Sequence, residues 1–271
     1  MIGPLARLAC PLLRSPERSK RTDTMWEELL LFVAIGFAAQ MVDGAIGMAY
    51  GVTSSSVLLS VGVPPATTSA CVHAAETFTT FVSGVSHWKL GNVDRKLLVR
   101  LAVPGMVGGA IGAYLLTNLD GEKVKPFISA YLLLMGIYIV WCAINKRQSD
   151  GAPPSRVAPL GFIGGLLDSL GGGGWGPIVT TTLIGQGTTP RYAIGSVNLA
   201  EFFVTLTISA TFVFTIGLEL WPIIAGLIIG GIIAAPFAAL ATKKLPDKVL
   251  MALVGSVIVI LSLRTIVMSL T

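Results

Sequence analysis

Charge is what this sequence has least of. Only 12% of its 271 residues are Asp, Glu, Lys or Arg, against 53% hydrophobic, whereas a soluble globule carries about 25% charged residues. So few charges cannot cover a water-soluble particle of this size. With a mean hydropathy of +0.78, the chain reads as an integral membrane protein in contact with the lipid bilayer. Other scarcities narrow the function. Two histidines leave little for acid–base catalysis, and no nucleophile stands at motif spacing from a base and an orienting group, so an enzyme is disfavoured. No ATP-binding loop is present, which disfavours a self-contained pump. Cys10, Cys71 and Cys142 lie too far apart for a disulfide framework or a Cys-based metal site, and nothing in the pattern calls for a cofactor. Basic residues outnumber acidic ones by 19 to 14, but they are scattered over loops and the N-terminus with no aromatic-interleaved face, which argues against nucleic acid.

What the sequence does contain is a copy of itself. Residues 36–76 return 125 positions later as residues 161–201 without insertion or deletion, and 11 pairs are identical, among them Gly36/Gly161, Asp43/Asp168, Gly47/Gly172, Gly51/Gly176, Gly62/Gly187, Pro65/Pro190 and Glu76/Glu201. These are mostly backbone-determining residues or carboxylates rather than filler. In each copy an Asp precedes a glycine-rich break, and a Glu follows 33 residues after that Asp.

Punctuation by charge, Pro and Gly divides the chain further. Residues 1–24 carry Arg7, Arg14, Arg18, Lys20 and Arg21 among three prolines, and are too interrupted for a span or for the apolar core of a secretory signal. Met25 reads as the native start, an expectation that mass spectrometry of the N-terminus checks. Residues 25–145 form a first transmembrane repeat, 146–157 a linker, and 158–271 a second repeat. Each repeat holds five apolar segments: 28–48, 52–63, 66–88, 97–117 and 125–145 in the first, and 158–171, 177–187, 190–216, 221–242 and 248–268 in the second. A bilayer core needs about 20 helical residues, so the third to fifth segments of each copy can cross. The second is too short and reads as a re-entrant helix. The predicted fold class is an all-α integral membrane protein.

The loops set the topology. Lys89, Arg95, Lys96 and Arg100 crowd the loop after the third segment, while its counterpart in the second copy has Glu219 and no basic residue. After the fourth segment the bias reverses, with Asp120, Glu122, Lys123 and Lys125 balanced in copy one and Lys243, Lys244 and Lys248 outweighing Asp247 in copy two. Under the positive-inside rule the copies sit upside down relative to each other, as in many secondary transporters. The linker is then cytoplasmic and Trp26-Glu27-Glu28 lies outside.

The candidate site lies at the two breaks. Copy one reads Asp43-Gly44-Ala45-Ile46-Gly47-Met48-Ala49-Tyr50-Gly51, and copy two Asp168-Ser169-Leu170-Gly171-Gly172-Gly173-Gly174-Trp175-Gly176-Pro177. Such glycine density breaks helices, and broken backbone inside hydrocarbon is tolerated only where protein buries it or it lines a cavity. A helix restarting there offers unpaired N–H groups and a positive dipole end to an anion. Hydroxyls follow at once: Thr53, Ser54, Ser55 and Ser56, then Thr180, Thr181 and Thr182. The candidate substrate-binding residues are therefore Gly47, Gly51, Thr53, Ser54, Ser55, Ser56, Gly172, Gly173, Gly174, Gly176, Thr180, Thr181 and Asn198, with copy two the richer cradle. Against this stands plain packing, in which glycines bring helices close and the hydroxyls bond their own helices. Gly171, Gly173 and Gly176 also fit G-x-G-x-x-G, but no strand–helix unit surrounds them.

Glu76 and Glu201 lie inside apolar spans, where an ionisable group points to function by default. One turn before each is a polar partner, His73 or Asn198, on the same face. A Glu beside an anion is repelled unless it carries a proton, which makes Glu76 and Glu201 candidate proton carriers with His73 as relay. The alternative is structural, each Glu capping the broken helix of the other copy. Asp43 and Asp168 are candidate gating residues, with helix caps or hinge contacts the plainer role.

Residues 36–51 followed by Val61-Gly62-Val63-Pro64-Pro65-Ala66, with the same elements at 161–176 and 187–190, resemble the TauE/SafE family of sulfite and organosulfur-anion transporters over residues 28–268. The resemblance implies a plasma-membrane carrier of two inverted halves that exports sulfite, a sulfonate or thiosulfate by coupling to an ion gradient. Copy one departs from the family's glycine run at Ala45, Ile46, Met48, Ala49 and Tyr50. A carrier or channel of the same architecture for a carboxylate or divalent cation is the other reading; Glu76, Glu201 and His73 have no spacing that enforces metal geometry. Monomer and homo-oligomer are equally compatible with the sequence.

Overall fold

The computed structural model describes residues 20–46, 49–145, 156–217, 221–241 and 247–270. Residues 1–19 of the leader, residues 146–155 of the linker, Gly47, Met48, Glu219, Lys243 and Lys244 lie outside the described residues. In the first half the helices are α1 (Lys20–Ile46), α2 (Tyr50–Ser60), α3 (Pro65–Lys89), α4 (Arg95–Thr117) and α5 (Gly121–Ile144). The second half has α6 (Val157–Gly171), a π-helical turn (Gly176–Thr180) that runs into α7 (Thr181–Gly185), then α8 (Pro190–Ile216), α9 (Trp221–Ala241) and α10 (Asp247–Leu270). No strand occurs among the described residues, so the protein is all-α. Each apolar segment becomes a helix within a few residues of its expected ends. The exception is α1, which starts at Lys20 rather than near residue 28, because residues 20–28 contain no Pro or Gly and include the good helix formers Lys, Arg, Met and Glu.

Local chemistry explains where helices stop. α6 ends on Gly172, and Gly172, Gly173 and Gly174 take φ values of +69°, +153° and +145°, a run of conformations that only glycine adopts without a Cβ penalty. At the far ends of the short helices, Gly62 and Gly187 have φ +98° and +103°, and Pro65 and Pro190 then open α3 and α8, where the missing N–H costs nothing. Asp94 caps α4 by accepting the N–H groups of Lys96 and Leu97 at 2.8 and 3.2 Å.

The two halves interlock by exchanging partners. α1 packs against α9, and α6 against α4. Gly36 lies on the backbone of Leu227, and its counterpart Gly161 on the backbone of Leu101, where a Cβ would come within 2.7 Å of Leu227 Cα or 2.6 Å of the Leu101 carbonyl oxygen. Only small residues permit such backbone approach. Both pairs run parallel: Gly226 meets Phe32 and Gly230 meets Phe37, while Gly105 meets Gly165 and Gly112 meets Ser169. α3 and α8, equivalent helices of the two halves, instead run antiparallel. Thr77 faces Ser209 (3.4 Å), Phe81 faces Phe202 (5.1 Å between ring centroids) and Gly84 faces Leu199.

The outward faces are apolar, with Phe127 and Phe214 75% and 89% exposed, as lipid rather than water demands. Among the described residues, α4, α5 and Tyr192–Ile216 of α8 are long and apolar enough to cross a membrane. α3 has the length at 25 residues but is not among them, because its Ser, Thr, His and Glu side chains lower its hydropathy. α9 and α10 contribute the shorter apolar stretches Trp221–Ala234 and Gly255–Met268. The protein is thus an all-α membrane protein with its polar side chains turned inward.

Candidate functional site

The two breaks meet. Gly51, in the first turn of α2, lies so close to the copy-two loop that a Cβ there would be 2.8 Å from Gly173 Cα and 3.2 Å from the Gly172 carbonyl oxygen. The Ser55 hydroxyl donates to the Gly172 carbonyl, and Ser69 of α3 donates to the Ser169 carbonyl at 2.6 Å. From α5, the Tyr131 hydroxyl donates to the Gly173 carbonyl at 3.1 Å. The broken backbone is therefore buried in protein at the centre of the fold.

Carboxylates occupy the restarting helices. Asp43 Oδ1 accepts the N–H groups of Ala49 and Tyr50 at 2.8 and 3.2 Å, and Asp168 Oδ1 accepts that of Trp175 at 2.9 Å. Both Asp residues act as caps of equivalent helices. Glu76 Oε1 lies against Gly51, 2.9 Å from where a Cβ on that glycine would stand, so it faces the broken helix of its own copy. The positive end of α2 is filled by the protein's own acids. Glu76 Oε2, by contrast, is buried and has no partner among the described residues. Glu201 is half-buried.

His73 does not turn toward Glu76 as its spacing implied. Its Nδ1 lies 2.7 Å from the Ser69 carbonyl oxygen and its Nε2 3.1 Å from Asp168 Oδ2. A carbonyl can only accept, so Nδ1 carries a proton, and the Nε2–carboxylate contact then needs a second proton on either His73 or Asp168. The pair binds α3 to α6 across the two halves as a neutral unit sharing that proton. Asn198, at the corresponding place in copy two, donates to the Ile194 carbonyl of its own helix at 2.9 Å.

The hydroxyl runs differ. Thr53, Ser54 and Ser56 are buried without partners among the described residues. Thr181 donates to the Pro177 carbonyl and lies 2.8 Å from the Tyr138 hydroxyl; Thr180 and Gly176 are buried beside it. Ser55 and Thr181 thus find acceptors, whereas Thr53, Ser54 and Ser56 of copy one and Thr188 and Ser262 of copy two have buried hydroxyls without partners among the described residues. Sequence reasoning missed Ser69, Tyr131 and Tyr138. The signals were present: Ser69 is one turn before His73, and Tyr131 and Tyr138 are seven apart on one face of α5. Among the described residues no three His, Cys, Asp or Glu side chains are grouped to hold a metal ion.

Residues 32–265 match the family described as "Sulfite exporter TauE/SafE". The chain belongs to the TauE/SafE family. It is 40% identical over 258 residues, 89% of this chain and 83% of the relative, to "Probable membrane transporter protein YtnM" of Bacillus subtilis (strain 168). It is also 26% identical over 172 residues to "Probable membrane transporter protein ORF9" of Sinorhizobium sp, covering 64% of this chain and 61% of that protein. No solved structure matches the chain. Membership of this family, with transporter relatives and an all-α apolar fold, makes the protein a multi-pass membrane transporter.

Proposed function

We propose that this transporter moves small sulfur oxyanions, of the sulfite, sulfonate or thiosulfate class, across the plasma membrane by alternating access coupled to a proton gradient. The observation that carries the reading is the junction of Gly51 with Gly172–Gly173, where Glu76 covers the α2 N-terminus beside unpartnered buried hydroxyls. As a carboxylate beside Gly51, Glu76 repels an anion at the α2 N-terminus. A proton on Glu76 removes the repulsion, so proton and anion bind better together than apart, and by linkage each raises the other's affinity equally. Thr53, Ser54 and Ser56 are then donors that can replace hydration around the cargo. The family description supports sulfur chemistry for the cargo.

Alternating access needs two halves that move against each other. The antiparallel run of α3 and α8, together with the exchange of α1 and α4 for α6 and α9, supports an inverted relation between residues 25–145 and 158–271, with an axis in the membrane plane. The His73–Asp168 pair and the Ser69–Ser169 bond cross between the halves and are natural points of rearrangement.

Uptake of sulfite into proteoliposomes under an imposed pH gradient tests the reading. Glu76→Gln should abolish gradient-driven flux while the protein stays folded and exchanges internal for external anion. Gradient-driven flux at wild-type rate in both Glu76→Gln and Glu201→Gln would remove the carboxylates from the mechanism.

A further inference from the structure

Arg264 is a cation that the junction leaves unused. It sits in α10 within residues 255–268, a stretch that carries no other charged side chain, and such a residue inside a span is costly without a role. Its Nη1 donates to the Ser60 carbonyl at 3.0 Å, at the last residue of α2. No ion pair to Arg264 occurs among the described residues. From Ser60 back toward the junction, Ser56 and Thr53 follow at four- and three-residue spacing, on one face of α2. Both hydroxyls are without partners among the described residues at 2% and 7% exposure, and so is Ser262 of α10 at 2%. α10 packs on α2.

Buried hydroxyls left unpaired weaken a fold unless something polar visits them. Thr53 and Ser56 along one face of α2, ending at a guanidinium with donors to spare, fit a ligand that accepts hydrogen bonds and carries negative charge. We infer that the α2–α10 seam is the anion's route between the glycine junction and one membrane face, with Arg264 as the charge that recruits a small oxyanion at its outer end. The inference rests on the anion-carrier reading above. It also complements that reading: Asp43, Glu76 and Asp168 stand at the junction, and Arg264 supplies a positive charge on the approach to it. Arg264 forks toward an oxyanion with several parallel donors, and its position at the end of α2 lets it keep the Ser60 contact with one nitrogen while using others.

The simpler role for Arg264 is to cap the end of α2, and the experiment separates the two. Sulfite uptake kinetics in proteoliposomes are measured for wild type, Arg264→Gln, which keeps a donor for the Ser60 carbonyl, and Arg264→Lys, which keeps the charge. Recruitment predicts that Arg264→Gln raises KM by about 10-fold or more at low ionic strength, that the gap narrows in high salt, that kcat changes by less than about 2-fold, and that Arg264→Lys restores most of the affinity. A KM unchanged in Arg264→Gln, or a fall in kcat shared by both variants at constant KM, overturns the inference and leaves the carrier reading intact. If wild type takes up neither sulfite, thiosulfate nor a sulfonate, the carrier reading falls and the inference with it. Should Arg264→Gln not fold, the salt dependence of the wild-type KM decides: a KM that rises with ionic strength supports recruitment by a fixed charge, and a KM indifferent to salt overturns it.

Discussion

Gly51→Ala is the sharpest probe of the junction. The added methyl would lie 2.8 Å from Gly173 Cα and 2.9 Å from Glu76 Oε1, whereas carbon atoms pack comfortably at about 3.5–4.0 Å. The copy-two loop must therefore retreat by about 0.7–1.2 Å. Backbone atoms have no rotamer to swing away. Overpacking of this kind costs about 1–3 kcal/mol, offset by about 1 kcal/mol because Ala is the better helix residue in α2. The net loss is up to about 2 kcal/mol, and at about 2–4 °C per kcal/mol for a chain of this size the melting temperature in detergent should fall by up to about 8 °C. Gly121→Ala is the control. At the start of α5 its methyl meets only Pro65 Cδ at 3.6 Å, an ordinary contact, so stability should hold or rise by up to about 1 kcal/mol. Fluorimetric melting of both variants in one detergent checks the pair. A Gly51→Ala melting temperature above that of wild type, matching the gain of an unhindered Gly→Ala change, would show that the two breaks do not touch as described.

His73→Ala should destabilise the protein by about 3–5 kcal/mol, because Asp168 is left buried with one oxygen unpaired; the same melting assay reads it, and a loss under about 1 kcal/mol would mean that the pair does not join the halves. On the surface, the hydrogen bond from Lys123 and then the N–H of Glu122 hold the Asp120 carboxyl below its ordinary range. A depressed carboxylate stabilises fully above its unfolded value and loses that contribution as pH falls through the lower folded value. The melting-temperature gap between wild type and Asp120→Asn should therefore stay constant from neutral pH down and close only below about pH 4. A gap that changes instead around neutral pH would assign it to another group.

How far the site was legible depends on the range of the interaction. The repeat, the ends of nearly every helix and the breaks themselves rest on neighbours in sequence, such as Gly62 and Gly187 before Pro65 and Pro190, or the run Gly171 to Gly174. The caps at Asp43 and Asp168 span only six or seven residues and were within reach for the same reason. The partner of His73 was not. Spacing on α3 placed it beside Glu76, but a helix face turns toward whatever packs on it, and α6 brings Asp168 there from 95 residues away. The state of the hydroxyls was equally hidden, since Ser55 and Thr181 find acceptors only once Gly172, Pro177 and Tyr138 are in place.

By itself, the sequence determined the solvent, the helical content, the duplication and the position of each break, because hydropathy and backbone propensity act locally. Tertiary structure alone decided that α2 and the copy-two loop meet at Gly51 and Gly173, that Glu76 lies against Gly51 of its own copy, and that Arg264 reaches Ser60. Those contacts depend on how close two backbones can come, and closeness is fixed by the glycines on both surfaces together rather than by either segment alone.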